Sequence, residues 1–209
     1  MLKATSLKKL NVSFYDRPQV ATIARELLGK ILVTQFRGSR CSGRIVETEA
    51  YEGVIDQASH AYGGRRTART EVMYQEPARA YVYLCYGIHH LFNVVTASKE
   101  QPHAVLIRAL EPLEGMDTMA RRASKRKGDL TLTRGPGNLT LAMGISLRHS
   151  GYSLLEDQIY IATDGFRPEP ALILASPRIG VGYAAAHAAW LFRFYLAGNK
   201  YVSARTKRP

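Results

Sequence analysis

Ala80-Tyr81-Val82-Tyr83-Leu84-Cys85-Tyr86-Gly87-Ile88-His89-His90-Leu91-Phe92-Asn93-Val94-Val95-Thr96 decides the fold. Residues 80–86 and 88–96 are two runs rich in Val, Tyr and Phe, side chains that suit a pleated, half-buried surface. Gly87 lies between them, where the chain can reverse. The stretch therefore predicts a hairpin, whose strands are antiparallel by construction. On its N-terminal side, residues 30–36 and 43–51 read as strands around the turn Arg37-Gly38-Ser39. On its C-terminal side, strands are expected at 104–110, 171–175 and 192–197, and at 200–204 after a tight turn at Gly198-Asn199. Helices are interspersed. Asp16-Arg17-Pro18 reads as the start of one, with Asp16 as N-cap. Val20, Ile23, Ala24, Leu27 and Leu28 line one face of it, and Gly29 ends it. Residues 112–124 read as a second helix with Leu113, Met116, Met119 and Ala120 inward. Arg134-Gly135-Pro136-Gly137-Asn138 turns into a short third. No βαβ rhythm is present. The expected class is α+β, one domain over 1–209 with a curved, largely antiparallel sheet, surrounding helices and a protruding hairpin.

A chain of 209 residues buries about 70% of its unfolded surface and needs no disulfide or metal to fold. Hydrophobic residues at 46% and charged residues at 22% exclude disorder. No apolar run reaches the length of a membrane span, and the N-terminus has no apolar region typical of a signal peptide. Cys41 and Cys85 fit a reducing cytoplasm, outside any metal-ligand spacing. Lys plus Arg number 29 against 17 Asp plus Glu, a net charge of +12. That excess favours a polyanion as partner, nucleic acid first.

Alternation along 43–51 puts Ile45, Glu47, Glu49 and Tyr51 on one strand face. Two carboxylates there are costly unless solvated or paired; an ordinary exposed face is the alternative. Arg108 shares a face with Ala104, Leu106 and Leu110 in an apolar strand, so its guanidinium needs an anionic partner. Glu47 and Glu49 are the candidates, forming either a structural salt bridge or a pair that holds and activates water. Tyr81, Tyr83 and Tyr86 lie within six residues, among 12 tyrosines. Tyr81 suits cross-strand packing, while Tyr86 at the hairpin apex suits a wedge that stacks on bases. His89 and His90 are adjacent and point apart, which makes chelation poor. His60 stands in a polar loop over 56–70. Arg134-Gly135-Pro136-Gly137 and Gly180-Val181-Gly182 lack the Gly-Lys-Ser/Thr of a P-loop; the second permits close approach of backbone to a ligand. No metal site is expected.

Together, Gly43-Arg44-Ile45-Val46-Glu47-Thr48-Glu49-Ala50-Tyr51, His60 with Gly63-Gly64-Arg65, Tyr81-Val82-Tyr83-Leu84-Cys85-Tyr86-Gly87 with Asn93, and Leu106-Ile107-Arg108-Ala109-Leu110-Glu111-Pro112 resemble the mammalian-type 3-methyladenine (alkyladenine) DNA glycosylases. Arg134-Gly135-Pro136-Gly137-Asn138-Leu139 and Arg178-Ile179-Gly180-Val181-Gly182 continue the match in family order. The resemblance implies a single domain that binds duplex DNA through the minor groove, flips a damaged purine and hydrolyses its N-glycosidic bond. It makes Glu49 the general base, Arg108 its partner and the Val181 backbone a holder of the water. It makes Tyr51, His60 and Tyr83 the walls around the flipped base, and Tyr86 the residue that fills the gap in the duplex. It makes Asn93 the residue that disfavours guanine. Glu47 then reads as structural support. Ile88 and His89 stand where some relatives carry methionine and tyrosine. The implied enzyme is a monofunctional, cofactor-free, cytoplasmic monomer without lyase activity, working on nucleoid DNA. The competing readings are a non-catalytic basic module that binds bent DNA, and an RNA binder with a tyrosine stacking platform.

Overall fold

The computed structural model describes residues 7–203. Among them, nine strands form one sheet: β1 (Lys8–Lys9), β2 (Ile31–Phe36), β3 (Ser39–Tyr51), β4 (Ala80–Cys85), β5 (His89–Thr96), β6 (His103–Glu114), β7 (Ile159–Thr163), β8 (Ile173–Ser176) and β9 (Arg193–Leu196). The order is β1-β7-β2-β3-β6-β5-β4, with β9 added to β3 and β8 to β9. Every pairing is antiparallel. The helices are α1 (Val12–Tyr15), α2 (Val20–Leu27), α3 (Met116–Ala123) and α4 (Pro136–Met143). None is long and apolar enough to cross a membrane. The α+β class expected from the hairpin stretch is the observed one.

β3 organises the sheet. Its first half pairs with β2, and Glu47–Glu49 pair with β9. Along its other edge it pairs with β6, but not in even register. Ile45 faces Leu110 and Glu47 faces Ala109, so Val46 is an extra residue on β3. Glu47 faces Ala109 while Thr48 faces Ile107, so Arg108 is extra on β6. A bulge bends its strand and re-aims side chains. These two place Ile45 and Leu110 in the main core with Val46 and Ile107, off the carboxylate face expected by strict alternation. Glu47, Glu49 and Arg108 converge on the other side.

Helix α2 covers this core. Val20, Ile23, Ala24 and Leu27 are buried, as its 3.6-residue period predicts. Burying each large aliphatic side chain contributes about 1.5–3 kcal/mol. The Thr48 hydroxyl donates to the Ala24 carbonyl at 2.8 Å, tying helix to sheet. Gly29, at φ 83°, ends the turn after α2, and a Cβ there would stand 2.8 Å from the Pro168 ring.

Several boundaries differ from expectation. Asp16 does not cap α2. The helix starts at Val20 after Gln19, and the Asp16 carboxylate accepts from Ser98 Oγ at 2.7 Å instead. Residues 112–114 are strand, not helix, because β6 stays paired with β3 as far as Ser42 opposite Glu114. The break falls at Gly115, φ 78°, where a Cβ would collide with the Arg40 carbonyl. No strand follows Gly198-Asn199 within the described residues; Ala204 lies outside them. The Asn199 side chain accepts from Tyr201 N at 2.9 Å and donates to Glu111 Oε2 at 3.0 Å, which turns the chain back toward Glu47. Strands β1 and β7 were not expected from the sequence.

Candidate active site

The bulged crossing of β3 and β6 buries three charges together. Glu47 and Glu49 are fully buried and Arg108 is 7% exposed. Arg108 donates from Nε to Glu47 Oε1 at 2.9 Å, and its Nη1 lies 3.2 Å from Glu49 Oε1. The two carboxylates differ in what else they hold. Glu47 Oε1 also accepts from Arg193 Nε at 2.8 Å and from Ser203 Oγ at 2.8 Å, and its Oε2 accepts from Ser203 N. Burial would raise its pKa, but Arg108 and Arg193 outweigh burial and hold it below the ordinary carboxylate range. Four protein donors converge on Glu47, which does not line the cleft beside Glu49. Glu49 accepts from Ile179 N at 2.8 Å on Oε1 and from the Tyr51 hydroxyl at 2.8 Å on Oε2. It also lines an open cleft of about 380 Å³ with Arg108, Tyr83, Tyr86 and Val181.

Beside Glu49 the aromatic residues form a second, narrower space. Tyr51, His60, Tyr83 and Asn93 line a cavity of about 40 Å³, which is room for about one water. The His60 ring meets Tyr83 edge-on at 4.6 Å, and its Nδ1 lies 2.7 Å from the Tyr81 hydroxyl. Tyr81 and Tyr83 stack at 5.5 Å. Burial, with Arg69 and Arg65 nearby, pushes the His60 pKa down to about 4, so the ring is neutral at pH 7 and presents an uncharged wall. Burial and the adjacent Glu49 carboxylate push the Tyr51 phenol up, which keeps it a hydrogen-bond donor. Asn93 faces Tyr81 across the hairpin and donates from Nδ2 to its carbonyl at 3.1 Å. That bond explains an amide in a strand where propensity disfavours one.

Tyr86 stands at the tip, 87% exposed. It has φ 50° and Gly87 has φ 71°, with Ile88 N donating to Cys85 O at 3.1 Å. Positive φ at both central residues is the pattern of a type I′ turn, which favours Asn-Gly. A tyrosine held there costs about 1–2 kcal/mol. An exposed ring kept in a disfavoured backbone conformation points to function.

Three features of the site were missed in the sequence. Arg193 in β9 is a second cation on Glu47, and the logic applied to Arg108, a guanidinium in an apolar strand, would have found it. Arg178 and Asp56 form a buried bidentate pair. Arg178 also donates to the Ala50 carbonyl at 2.8 Å and lies 4.8 Å from the Tyr51 ring centre. This pair fastens the His60 loop and the segment after β8 to the end of β3, so Ile179 N reaches Glu49. Asp56 gave no signal, because a polar loop reads as exposed. The backbone donor to Glu49 is that of Ile179; Val181, two residues on, lines the cleft, and its carbonyl accepts from Ala184 N at 2.9 Å.

A buried carboxylate at an open cleft, an aromatic slot and a projecting tyrosine on a basic chain are the parts that an enzyme acting on the bases of nucleic acid requires. The chain belongs to the methylpurine-DNA glycosylase family, whose model matches residues 13–200. It is similar to proteins whose names carry 3-methyladenine DNA glycosylase. One from Desulfitobacterium hafniense (strain Y51) is 43% identical over 206 residues, covering 95% of this chain and 100% of its own length. One from Clostridium perfringens (strain 13 / Type A) is 42% identical, covering 93% and 98%. One from Bacillus cereus (strain G9842) is 46% identical, covering 91% and 97%. The chain is a DNA glycosylase of base-excision repair.

Proposed function

We propose that this glycosylase enters duplex DNA from the minor groove, extrudes an alkylated or deaminated purine, and hydrolyses its glycosidic bond with Glu49 as general base. The observation that carries the reading is the unequal environment of the two buried carboxylates. Glu47 receives four protein donors and does not line the cleft, whereas Glu49 is oriented by Tyr51, Ile179 N and Arg108 at its edge. A base cannot be cleaved inside the stack, and extrusion costs a few kcal/mol. Tyr86 offsets that cost by filling the gap. The purine enters between Tyr51, His60 and Tyr83, which must part to admit it. A base made cationic by alkylation gains roughly 0.5–2 kcal/mol over these rings. Glu49 takes a proton from water as the oxygen attacks the anomeric carbon, and the bond to the purine breaks with its electron pair leaving on the base. The carboxylate also stabilises the oxocarbenium-like sugar. Val181, lining the cleft, offers a second carbonyl lone pair to the same water. Water, a base and a protonatable leaving group balance the reaction, so neither redox cofactor nor lysine nucleophile enters it. We read the product as an abasic site in an uncut strand. We read the enzyme as a monomer, with chromosomal DNA in the cytoplasm as its field of action.

The deciding experiment is incubation with alkylated duplex DNA and chromatography of the released bases. Free alkylated purine with intact strands is the expected result. Tight binding without release would favour the non-catalytic module.

Two variants test the recognition parts. Tyr86→Ala should lose roughly 1–3 kcal/mol of stacking, seen as weaker binding and a smaller flipping-sensitive fluorescence change. Its thermal unfolding should match the wild type, since the ring is exposed. Wild-type flipping in this variant would reject the wedge. Asn93→Ser should raise release of guanine relative to alkylated adenine by about tenfold, the worth of about 1.4 kcal/mol at one polar contact. An unchanged ratio of released bases would remove Asn93 from the discrimination.

A further inference from the structure

The cleft at Glu49 has a larger neighbour across the hairpin. A groove of about 600 Å³ lies on the other flank of the hairpin. One wall is Ile88, His89 and His90 of the hairpin, and the other is built from α3, α4 and the turn after α4. The two clefts share no lining residue: Tyr86 lines the one at Glu49, and Ile88 lines this groove. The turn Tyr86-Gly87 is the ridge between them.

The groove is electropositive. Arg37, Arg121, Arg122 and Arg148 line it, and among the described residues no Asp or Glu does. Arg122 is engaged internally, donating to the Ala142 carbonyl at 3.3 Å and to Cys41 Sγ at 3.5 Å. Arg37, Arg121 and Arg148 are exposed and form no salt bridge among the described residues; Arg121 meets Thr118 at 3.4 Å and Arg148 meets His149 at 3.2 Å. Elsewhere on the surface Arg40 and Arg66 find carboxylates, while Arg25, Arg65, Arg69, Arg126 and Arg167 are exposed and outside any described salt bridge like these three; what sets the groove apart is that its arginines converge with no carboxylate in its lining. Arg37 carries a second mark. It has φ 50° beside Gly38 at φ 74°, at the tip of the β2–β3 hairpin. A conformation suited to Asn or Gly is occupied by a long cation, as it is by Tyr86 at the other hairpin tip and by five further non-glycine residues among those described.

A hairpin tip inserted in a minor groove has one phosphate backbone on each flank. The strand that carries the extruded base must lie over the cleft of Glu49, because its nucleotide enters there. The other backbone then runs along the opposite flank. We propose that the arginine groove behind the hairpin holds phosphates of the strand opposite the damaged base. This rests on the reading that the hairpin enters duplex DNA from the minor groove. Three arginines outside any described salt bridge suit phosphate oxygens in geometry and charge, and they fix register without reading sequence.

The test is a salt titration of binding to a duplex with a single tetrahydrofuran abasic analogue. Each phosphate that the protein no longer neutralises should flatten the slope of log K against log salt by about 0.9. Arg121→Ala/Arg148→Ala should therefore be shallower by about 1.8. If the two proteins converge at about 1 M salt, the variant binds roughly 60-fold more weakly at about 0.1 M. Neutral methylphosphonates placed in the complementary strand should flatten the wild-type slope and flatten that of the variant, which keeps Arg37, much less. An unaltered slope in the variant overturns the proposal. So does a variant that still responds to complementary-strand methylphosphonates as the wild type does. Failure of the catalytic reading would appear in the base-release assay, and failure of this one in the salt slope.

Discussion

Glu49→Gln is expected to release alkylated purine about 10²–10⁴ times more slowly than the wild type, the usual contribution of a positioned general base. The assay is single-turnover base release with saturating enzyme. The substitution keeps the shape of the side chain. Its Oε1 can still accept from Ile179 N, and its amide can donate to Tyr51, whose hydroxyl then accepts in place of donating. Arg108 keeps its hydrogen bond to Glu47. The variant should fold and bind damaged duplex at least as tightly, since one negative charge near the phosphates is gone. Release near the wild-type rate would refute the assignment of Glu49 as base.

The cluster of Glu47, Glu49 and Arg108 was legible in the sequence for a physical reason. A strand alternates faces, so Glu47 and Glu49 had to be neighbours in space, and an arginine in an apolar strand had to find an anion. Both constraints act within one or two strands. The hairpin was equally readable, because Gly87 and the flanking Val, Tyr and Phe runs carry its geometry locally. What could not be read depends on register and on chain far away. The bulges at Val46 and Arg108 have no signature in either strand alone; they exist only in the pairing of β3 with β6. They separate Ile45 from the carboxylates and set Arg108 between them. The Arg178–Asp56 pair joins positions 122 residues apart, and Asp56 looks like any loop carboxylate until Arg178 is placed. The start of α2 was misjudged for a nearer reason. Asp16 and Pro18 satisfy the local rules for a helix start, but Ser98, distant in sequence, takes the Asp16 carboxylate.

Glu47→Gln should act on stability where Glu49→Gln acts on rate. Glu47 is fully buried between Arg108 and Arg193 and also receives Ser203. Removing its charge takes the shared anion away from two buried guanidinium groups. Breaking a buried pair by removing one partner costs about 3–5 kcal/mol. For a chain of this size that is a fall in unfolding temperature of roughly 10 °C. Calorimetry or urea unfolding reads it directly. The pH dependence gives an independent check. Arg108 and Arg193 hold the Glu47 carboxyl below its ordinary range against the cost of burial. A depressed folded-state pKa contributes stability that is complete above the unfolded value, about 4.3, and is lost as pH falls through the folded value. The stability gap between wild type and Glu47→Gln should thus be full at pH 7 and narrow below pH of about 4. Equal stability at pH 7 would mean that the cluster does not hold β3, β6 and β9 together. A Glu47→Gln protein as stable as the wild type but unable to release base would transfer the role of general base to Glu47. The position of Glu47 argues against that outcome: a carboxylate that already receives two arginines and the amide and hydroxyl of Ser203, and does not line the cleft at Glu49, is poorly placed to hold the attacking water.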